Sequence, residues 1–306
     1  DGRSRLRRVA AESGWLARRT TGAALVHHAG GTAPMRRSAP YVLTVHDVQP
    51  LERTASHSAL KRAYLARVIP PSVERAERVI VPSQFVATTL RQHTAVDPAR
   101  VTVVPHGVDV HPAPTPAAEL RARYDLRDPV VYYPAITYPH KDHATLVEAF
   151  TQVVRHHPDA TLVLSGGQGS SEAELAAQID RAGLRARVRR VGRVPAADVA
   201  GLYRAAAVVA IPSTYEGFGL PAVEAMAYGA PVVAAATTAL PEVVGDAGVL
   251  VPAREPDAWA RALVDLLGDD ARRVALAAAG AERAQRFSWT ANAGALLDVY
   301  LGALGP

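Results

Sequence analysis

Short apolar runs alternate with longer stretches of mixed polarity along most of the chain. The runs are rich in valine, isoleucine and alanine, which is typical of strands buried on both faces of a parallel sheet. The intervening stretches have the length expected of helical, right-handed crossover connections. Predicted helices include residues 58–67 and 84–93, and the tail from Pro256 is helical. The predicted strands cover residues 41–45, 78–81, 101–104, 130–133, 160–164, 188–191, 207–211, 231–235 and 248–251. This pattern predicts an α/β protein.

A proline-dense segment, residues 111–116, separates two such alternating regions. Proline continues neither a helix nor a central strand, so this segment is the best domain boundary in the sequence. We therefore predict an N-terminal domain over residues 1–110, a linker over 111–128 and a C-terminal domain over 129–306. A chain of 306 residues is long enough to bury two cores.

Residues 216–235 carry the pattern most informative about chemistry. Glu216 and Glu224 stand eight positions apart and flank a Gly-Phe-Gly turn and Pro221. We expect Glu216 in the loop at the carboxyl end of the strand over 207–211. Proline suits the first turn of a helix, which would carry Glu224 about one turn inside. Glycines at a helix N-terminus leave backbone N–H groups accessible to anions such as phosphate. Because parallel sheets bind ligands at the carboxyl ends of their strands, the segment is a candidate binding site.

The same segment resembles the E-x7-E motif of retaining glycosyltransferase family 4. Members of that family have the GT-B fold, in which two Rossmann-like domains face a cleft. Other segments resemble the family in its own order along nearly the whole chain. They are Thr44-Val45-His46-Asp47, a strand end carrying a histidine; Val79-Ile80-Val81-Pro82-Ser83; Val103-Val104-Pro105-His106-Gly107-Val108-Asp109, the hinge entry; Pro139-His140-Lys141-Asp142-His143, a lysine-bearing loop; and Phe287-Ser288-Trp289. The resemblance implies transfer of a sugar from a nucleotide-sugar donor.

The resemblance also implies roles for residues in the donor half of the site. Lys141 would contact the donor diphosphate, and Glu216 would contact the donor sugar. Glu224 would bind the ribose diol, because a carboxylate accepts hydrogen bonds from two hydroxyl groups. The segment between the two acids would offer backbone groups to the sugar hydroxyls and the phosphate; it consists of Gly217, Phe218, Gly219 and Leu220.

Three further positions complete the predicted site. His46 ends a strand of the N-terminal domain and, by resemblance, would bond the donor sugar or the leaving phosphate. The glycine pair Gly166 and Gly167 follows a strand and would let the backbone approach the nucleotide. Arg193 and Val194 would flank the base, and Arg193 is a candidate for a second cation at the diphosphate.

The chain departs from the family pattern in two places. The family usually has an arginine five or six positions before the lysine, where this chain has Ala135 and Ile136. The family's first strand and the glycine-rich loop after it have no counterpart following Asp1. We therefore predict a partial N-terminal domain that lacks on the order of 70 residues, with a natural short form as the alternative. The sequence defines the acceptor half of the site less well than the donor half.

Composition narrows the function classes. The net charge is only +5 and aromatic residues make up 6% of the chain. The sequence contains no cluster of basic and aromatic residues and no known nucleic-acid-binding module, so we do not expect nucleic-acid binding. The positive charge suits an anionic donor or peripheral contact with an anionic membrane face.

The chain has no cysteine, and its histidine pairs lack carboxylates at ligand spacing, so we expect no metal and no cofactor besides the donor substrate. No apolar run reaches the roughly 18 residues of a membrane-spanning helix, and we expect a cytoplasmic protein.

The resemblance favours a retaining hexosyltransferase that uses GDP-mannose, with UDP- or dTDP-sugars next, and a glycan or lipid-linked acceptor. One alternative is a non-catalytic nucleotide-sugar-binding fragment or scaffold, which Ala135 and Ile136 and the missing first strand favour. Another is a sugar-nucleotide epimerase of the same fold, which would not carry the E-x7-E unit. A phosphorylase fits less well, because no lysine stands where a pyridoxal Schiff base would form. The oligomeric state is left open.

Overall fold

The computed structural model describes residues 15–34, 39–52 and 59–305. Contacts between residues divide the chain into two compact units. The first unit comprises the chain up to His106 together with Thr290–Pro306, and the second unit is Gly107–Trp289. Within the described ranges each unit shows one sheet, and the strands that pair in these sheets are parallel.

The described residues of the first unit form four strands in the order β1-β2-β3-β4. The strands are β1 (Val26–His28), β2 (Tyr41–Thr44), β3 (Arg78–Val81) and β4 (Val101–Val103). The part of this unit up to His106 contains the helices α1 (Ala17–Arg19), α2 (Ala59–Glu74) and α3 (Gln84–His93), with a 3-10 turn at Pro98–Arg100. Both faces of this sheet are apolar. Leu43 and Val79 face one core, whereas Val42 and Ile80 face another, as the two-residue period of a strand requires.

The second unit contains six strands in the order β10-β9-β8-β5-β6-β7. The strands are β5 (Val130–Pro134), β6 (Thr161–Ser165), β7 (Val188–Gly192), β8 (Val208–Ile211), β9 (Val232–Ala235) and β10 (Val249–Val251). The helices are α4 (Ala117–Tyr124), α5 (His143–His156), α6 (Glu172–Arg181), α7 (Ala196–Ala205), α8 (Leu220–Ala227), α9 (Leu240–Val244), α10 (Pro256–Leu267) and α11 (Asp270–Ala284), with 3-10 turns at Pro139–Lys141 and Gly245–Ala247. The chain runs outward from β5 to β7 and then returns to place β8 beside β5. Ligands of open α/β sheets bind at this kind of switch in strand order.

The last helix, α12 (Trp289–Leu304), packs on the first unit. Its Val299 joins the apolar cluster of Val42, Ile80 and Val104, on the sheet face opposite α2 and α3. The predicted C-terminal domain, residues 129–306, therefore has to be corrected at its end. The apolar face of the first sheet is covered by a segment from the other end of the sequence, which no local pattern indicates.

Residues 111–128 were predicted to be a linker between the domains. In the structure they belong to the second unit, and most of them pack on it. Asp198 on α7 is 1% exposed. Its carboxylate accepts hydrogen bonds from Thr115 Oγ1 at 2.6 Å, Tyr124 Oη at 2.5 Å and Arg123 Nη1 at 2.6 Å. Burial acts to raise the pKa of Asp198, but these donors outweigh it and hold the pKa below its ordinary value. The division falls instead between His106 and Gly107.

The predicted strands agree with the structure to within one residue at each end. The helix predicted over 58–67 is observed from Ala59 and continues to Glu74. The strand Val26–His28 was not predicted, because its three residues end in two histidines and carry little apolar signal.

Candidate functional site

The loops after β5 and β8 lie side by side at the carboxyl ends of the central strands. Strand β5 pairs with β8 through Val131 and Val208. Beyond the strands, the backbone N–H of Thr214 donates to the carbonyl oxygen of His140 at 2.8 Å, which ties the two loops together. The first loop carries Lys141 and the second carries Glu216, so residues 75 positions apart in sequence meet at one edge of the sheet.

Lys141 and Glu216 form an ion pair. Lys141 Nζ donates to Glu216 Oε1 at 2.5 Å, and the two side chains are only 18% and 11% exposed. The backbone of Lys141 is fixed on both sides: its N–H donates to Tyr138, and its carbonyl oxygen accepts from the buried Tyr133 hydroxyl at 2.8 Å. The backbone N–H of Glu216 donates to Thr238 Oγ1 at 3.1 Å. The pair is therefore held by its loops before any ligand binds.

The turn between the two acids leads directly into helix α8. Gly219 is its N-cap residue, with φ of +99°, and a Cβ here would lie 2.8 Å from Leu240 Cδ2. Glycine is therefore required for both backbone conformation and space. Phe218 is buried edge-to-face against Phe287, whereas Leu220 is 40% exposed. Pro221 lies in the first turn as predicted and has no N–H. The N–H groups of Ala222 and Val223 donate to the carbonyl oxygen of Gly219 at 2.9 and 3.5 Å, which leaves the N–H of Leu220 without an intrahelical partner at this helix start.

Glu224 lies one turn inside α8, as predicted, and is partly buried. Its Oε2 accepts a hydrogen bond of 2.6 Å from the hydroxyl of Tyr203 on α7. Burial raises the pKa of Glu224, and the hydrogen bond from Tyr203 lowers it by a smaller amount, so the pKa lies above its ordinary value. The other oxygen, Oε1, has no hydrogen-bond partner among the described residues and remains available to a ligand.

The predicted glycine pair lies beside a pocket at the ends of β5, β6 and β7. Gly166 has φ of +133°, and a Cβ on it would lie 2.4 Å from the carbonyl oxygen of Ala135. A Cβ on Gly167 would approach Arg193 Nε to 3.0 Å, so the exposed Arg193 side chain lies over this loop. Val194 follows at the start of the segment that leads into α7 and is partly buried. The pocket is lined by Ala135, Thr137, Leu164, Ser165, Gly166, Gly167, Gln168, Glu172, Leu175, Arg190 and Gly192.

Sequence reasoning missed several polar residues around this pocket. Glu172, in the first turn of α6, accepts from Thr137 Oγ1 at 2.8 Å and from Arg190 Nη1 at 2.5 Å. Thr137 Oγ1 in turn accepts from the N–H of Gly169 at 2.7 Å, which fixes the end of the glycine loop. The acid at a helix N-terminus is a recognisable signal, but its two partners become neighbours only in the folded sheet.

His143 is a buried histidine beside this region. It begins α5, is 5% exposed, and packs against the ring of Tyr133 with 4.8 Å between centroids. Neither ring nitrogen has a hydrogen-bond partner of good geometry among the described residues. Burial is the largest cause that lowers the pKa of His143 to about 4, so the ring is neutral at pH 7.

His46 belongs to the first unit and follows β2, in an exposed position. Its Nε2 lies 2.9 Å from the carbonyl oxygen of Ala29, and its ring lies 5.3 Å from that of His106. Burial, followed by the charge of His46, lowers the pKa of His106. The structure thus brings Lys141 and Glu216 together, while the predicted role of His46 stays a prediction.

The described residues contain no group of three or more histidine, acidic or cysteine side chains arranged to hold a metal ion. Among them there is also no helix with the length and apolar character needed to span a membrane.

Comparison with known proteins places these features in a family. The model for "Glycosyl transferases group 1" matches residues 119–283, and the model for "Glycosyltransferase Family 4" matches residues 3–112. A D-inositol 3-phosphate glycosyltransferase of Segniliparus rotundus is 35% identical over 305 residues, which cover 97% of this chain and 65% of that protein. The corresponding protein of Kineococcus radiotolerans is 37% identical over 294 residues, covering 88% of this chain and 67% of that protein. The chain thus spans about two thirds of the length of these curated relatives.

The fold is shared with solved structures. The crystal structure of Anabaena HepE in complex with UDP and glucose superposes with a TM-score of 0.75 and is 28% identical, covering 86% of this chain and 72% of that one. The prediction of two parallel-sheet domains of the GT-B type is confirmed. The chain therefore belongs to the group 1 and family 4 glycosyltransferases.

Proposed function

We propose that this protein is a retaining glycosyltransferase that moves a hexosyl group from a nucleotide sugar to a hydroxyl group of its acceptor. The observation that carries the proposal is the arrangement at the carboxyl ends of β5 and β8. A fixed lysine, a carboxylate beside it and a helix N-terminus lie together, and one turn further a second carboxylate keeps one oxygen unpaired. Each of these groups matches one part of a nucleotide sugar.

The departing diphosphate needs cations or oriented N–H groups, because it gains negative charge as the sugar leaves. Lys141 and the N-terminus of α8, entered through Gly217, Phe218, Gly219 and Leu220, would supply both. Glu216 would accept hydrogen bonds from sugar hydroxyls through the oxygen that Lys141 leaves free. Arg193 is exposed and makes no ion pair with any described residue, which supports a role as the second cation.

The nucleoside would occupy the adjoining edge of the sheet. Glu224 Oε1 is free to accept from the ribose diol, and this contact requires an ionised carboxylate. Gly166 and Gly167 line the adjoining pocket, and their missing side chains let this loop lie close against the backbone of Ala135 and the side chain of Arg193. Arg193 and Val194, just after β7, would flank the base.

We infer retention from the resemblance of residues 216–224 to the E-x7-E motif, and we assign Glu216, whose Oε1 is engaged by Lys141, to hydroxyl recognition rather than to nucleophilic attack. In the proposed front-face displacement, the bond between the sugar carbon and the diphosphate oxygen breaks while the acceptor oxygen bonds to the same face. The acceptor proton passes to the leaving phosphate oxygen, so no protein base is needed. His46 would then act by hydrogen bonding to the sugar or the phosphate.

The comparisons favour a UDP-sugar donor over the GDP-mannose that the sequence resemblance favoured. The structure of HepE contains UDP and glucose, and its identity of 28% makes the comparison relevant to the donor side. The relatives in Segniliparus and Kineococcus are named for D-inositol 3-phosphate. We therefore add a phosphorylated polyol to the proposed acceptors, beside a glycan or lipid-linked acceptor.

The test is a donor screen followed by a transfer assay. Thermal unfolding is measured with UDP-glucose, UDP-N-acetylglucosamine, GDP-mannose and dTDP-glucose, and the stabilising donor is incubated with D-inositol 3-phosphate and with simple glycosides. We expect a UDP-sugar to stabilise the protein and the product linkage to have the anomeric configuration of the donor, read by NMR. Glu224→Ala and Lys141→Ala should lose the stabilisation. Equal stabilisation of both variants and the wild type would refute the site, and an inverted product would refute retention.

A second candidate function is a non-catalytic nucleotide-sugar-binding protein. It is favoured by Ala135 and Ile136, which supply no cation to the diphosphate, and by the pairing of Lys141 with Glu216. This protein would bind the same donors but would neither transfer the sugar nor hydrolyse the donor. Donor hydrolysis by the wild type that Lys141→Ala abolishes would exclude this candidate.

A further inference from the structure

Three tyrosines form a cluster beneath the candidate site, and we call Tyr132, Tyr203 and Tyr228 the tyrosine cluster. The ring of Tyr203 stacks on that of Tyr228, with centroids 5.5 Å apart and planes 11° apart. It meets the ring of Tyr132 edge-on, with centroids 5.2 Å apart. Tyr132 and Tyr203 are completely buried. Such contacts hold a ring in one orientation, since the surrounding side chains leave no alternative rotamer.

Each hydroxyl of the cluster has a different partner. Tyr132 bonds to Ser165 Oγ at 2.7 Å, and the hydroxyl of Tyr228 accepts from the backbone N–H of His111 at 2.7 Å. The Tyr203 hydroxyl is the one that bonds to Glu224, donating to its Oε2 at 2.6 Å. Burial raises the pKa of Tyr203 well above its ordinary value, so it remains a hydrogen-bond donor throughout the range in which proteins function.

We propose that Tyr203 is a positioning residue for ribose recognition: it fixes one oxygen of Glu224 so that the other faces the two hydroxyl groups of the nucleotide ribose. This inference rests on the proposed function, because it takes Glu224 as the ribose ligand. A glutamate side chain has three rotatable bonds, and a bond at Oε2 removes most of that freedom before the nucleotide arrives. Tyr203 itself touches no part of the donor.

Of the groups around Glu224, Tyr203 is the one that hydrogen-bonds to its carboxylate. On the sides of α7 and β5, Glu224 is influenced by Tyr203 and Tyr132, and Tyr132 is bonded to Ser165. Strands β8 and β9 contribute only apolar side chains. Of the helices packed on α8, α11 carries Arg283, which donates to carbonyl oxygens of α9 rather than to Glu224.

The hydrogen bond also favours the ionised carboxylate. Burial raises the pKa of Glu224, and the Tyr203 hydroxyl lowers it. Without that hydroxyl, burial is unopposed, so Glu224 takes up a proton at a higher pH. A protonated carboxyl group donates as well as accepts and binds a diol less well. Loss of the hydroxyl should therefore weaken nucleotide binding. It should also raise the pH below which the nucleotide affinity falls, which we call the acidic limb of the binding profile.

The experiment compares Tyr203→Phe with Tyr228→Phe. Both changes remove one phenol oxygen from the same ring stack, but Tyr228 bonds to the backbone and not to Glu224. The affinities for UDP and for 2′-deoxy-UDP are measured by calorimetry between pH 5 and pH 8, with GDP and 2′-deoxy-GDP as a second pair. The ratio of the two affinities reports ribose recognition separately from general stability.

In the wild type we expect UDP to bind about 10-fold or more tightly than 2′-deoxy-UDP, the size of a hydrogen bond to a charged group. Tyr203→Phe should reduce this preference to about 3-fold or less and shift the acidic limb upward, while Tyr228→Phe keeps both. Equal behaviour of the two variants would overturn the positioning role but leave the proposed function intact. A wild type that binds neither UDP nor GDP would instead overturn the proposed function, and this inference with it.

Discussion

Replacement of Lys141 by methionine tests the candidate site most directly. Methionine keeps the length and most of the apolar stem of lysine but removes the ammonium group that lies 2.5 Å from Glu216 Oε1. The backbone hydrogen bonds to Tyr138 and from Tyr133 do not involve the side chain, so the loop keeps its anchors. The variant therefore removes the charge of Lys141 and keeps the backbone hydrogen bonds that hold its loop.

The magnitude follows from the exposure of the pair. Exposed ion pairs contribute about 0–1 kcal/mol, whereas removing one partner of a buried pair costs about 3–5 kcal/mol. With side chains 18% and 11% exposed, Lys141 and Glu216 lie between these limits. We expect Lys141→Met to lower the free energy of unfolding by about 2 kcal/mol, because Glu216 is left without its counter-charge. For the diphosphate, loss of a hydrogen-bonded cation worth about 3 kcal/mol predicts an affinity for UDP about 100-fold lower.

Urea unfolding and calorimetric titration with UDP and with uridine measure the two effects. Uridine lacks phosphate, so its affinity should change by less than about 2-fold in Lys141→Met. Glu216→Gln is the matched control, and the double variant should be more stable than the sum of the single losses predicts, since neither charge is then left alone. Equal losses for UDP and uridine would refute direct contact with the diphosphate. Strictly additive losses of stability would refute the coupling of the pair.

The remaining predictions concern packing and pH. Asp198→Ala should lower the free energy of unfolding of the second unit by about 3 kcal/mol, because three donors lose a buried acceptor; a urea midpoint close to that of the wild type would contradict this. His143 is neutral when folded, with a pKa of about 4, so its contribution is complete above the unfolded pKa near 6.5 and is lost as the pH falls toward 4. Between pH 8 and pH 5 the wild type should therefore lose about 2 kcal/mol more than His143→Gln in urea unfolding, and parallel losses would exclude this titration. Gly107→Ala should cost about 2 kcal/mol, since its Cβ would lie 2.5 Å from the backbone nitrogen of Trp289, whereas Gly294→Ala, with open space around it, should be neutral or stabilising in thermal unfolding. Equal melting temperatures for these two variants would show that the contact at Gly107 is not constraining.

Most strands were predictable because they are short runs dominated by apolar residues, and β2, β6, β8 and β9 are buried at every position, as expected of a parallel sheet covered on both faces. The same physics explains the strand that was missed. The side chain of His27 in β1 is accommodated by Thr44, 17 positions away, and by Tyr300, 273 positions away, each 2.7 Å from a ring nitrogen. Polar strand residues of this kind become acceptable only through partners that the chain brings from a distance.

In the candidate site, too, some features are local to the sequence and others arise only when distant segments meet in the fold. The placement of Glu216, Glu224 and Lys141 near a strand end or a helix start could be predicted because it depends on local features of the sequence, whereas their roles stay predictions. The pairing of Lys141 with Glu216 follows from the adjacency of β5 and β8, which is a property of the strand order. Tyr203 was missed because a tyrosine inside an apolar helix is indistinguishable from a core residue until its hydroxyl finds a carboxylate.

The packing of α12 on the first unit has a consequence for the order in which the protein is synthesised. The residues of α12 that complete the core around Val42, Ile80 and Val104 leave the ribosome well after the strands that they cover. The whole of Gly107–Trp289 is made before them, so the second unit has all of its own residues available while one sheet face of the first unit is still uncovered. During that interval the first unit exposes apolar surface that invites non-native association. Helix α12 thus acts as the closing step in the folding of the first unit.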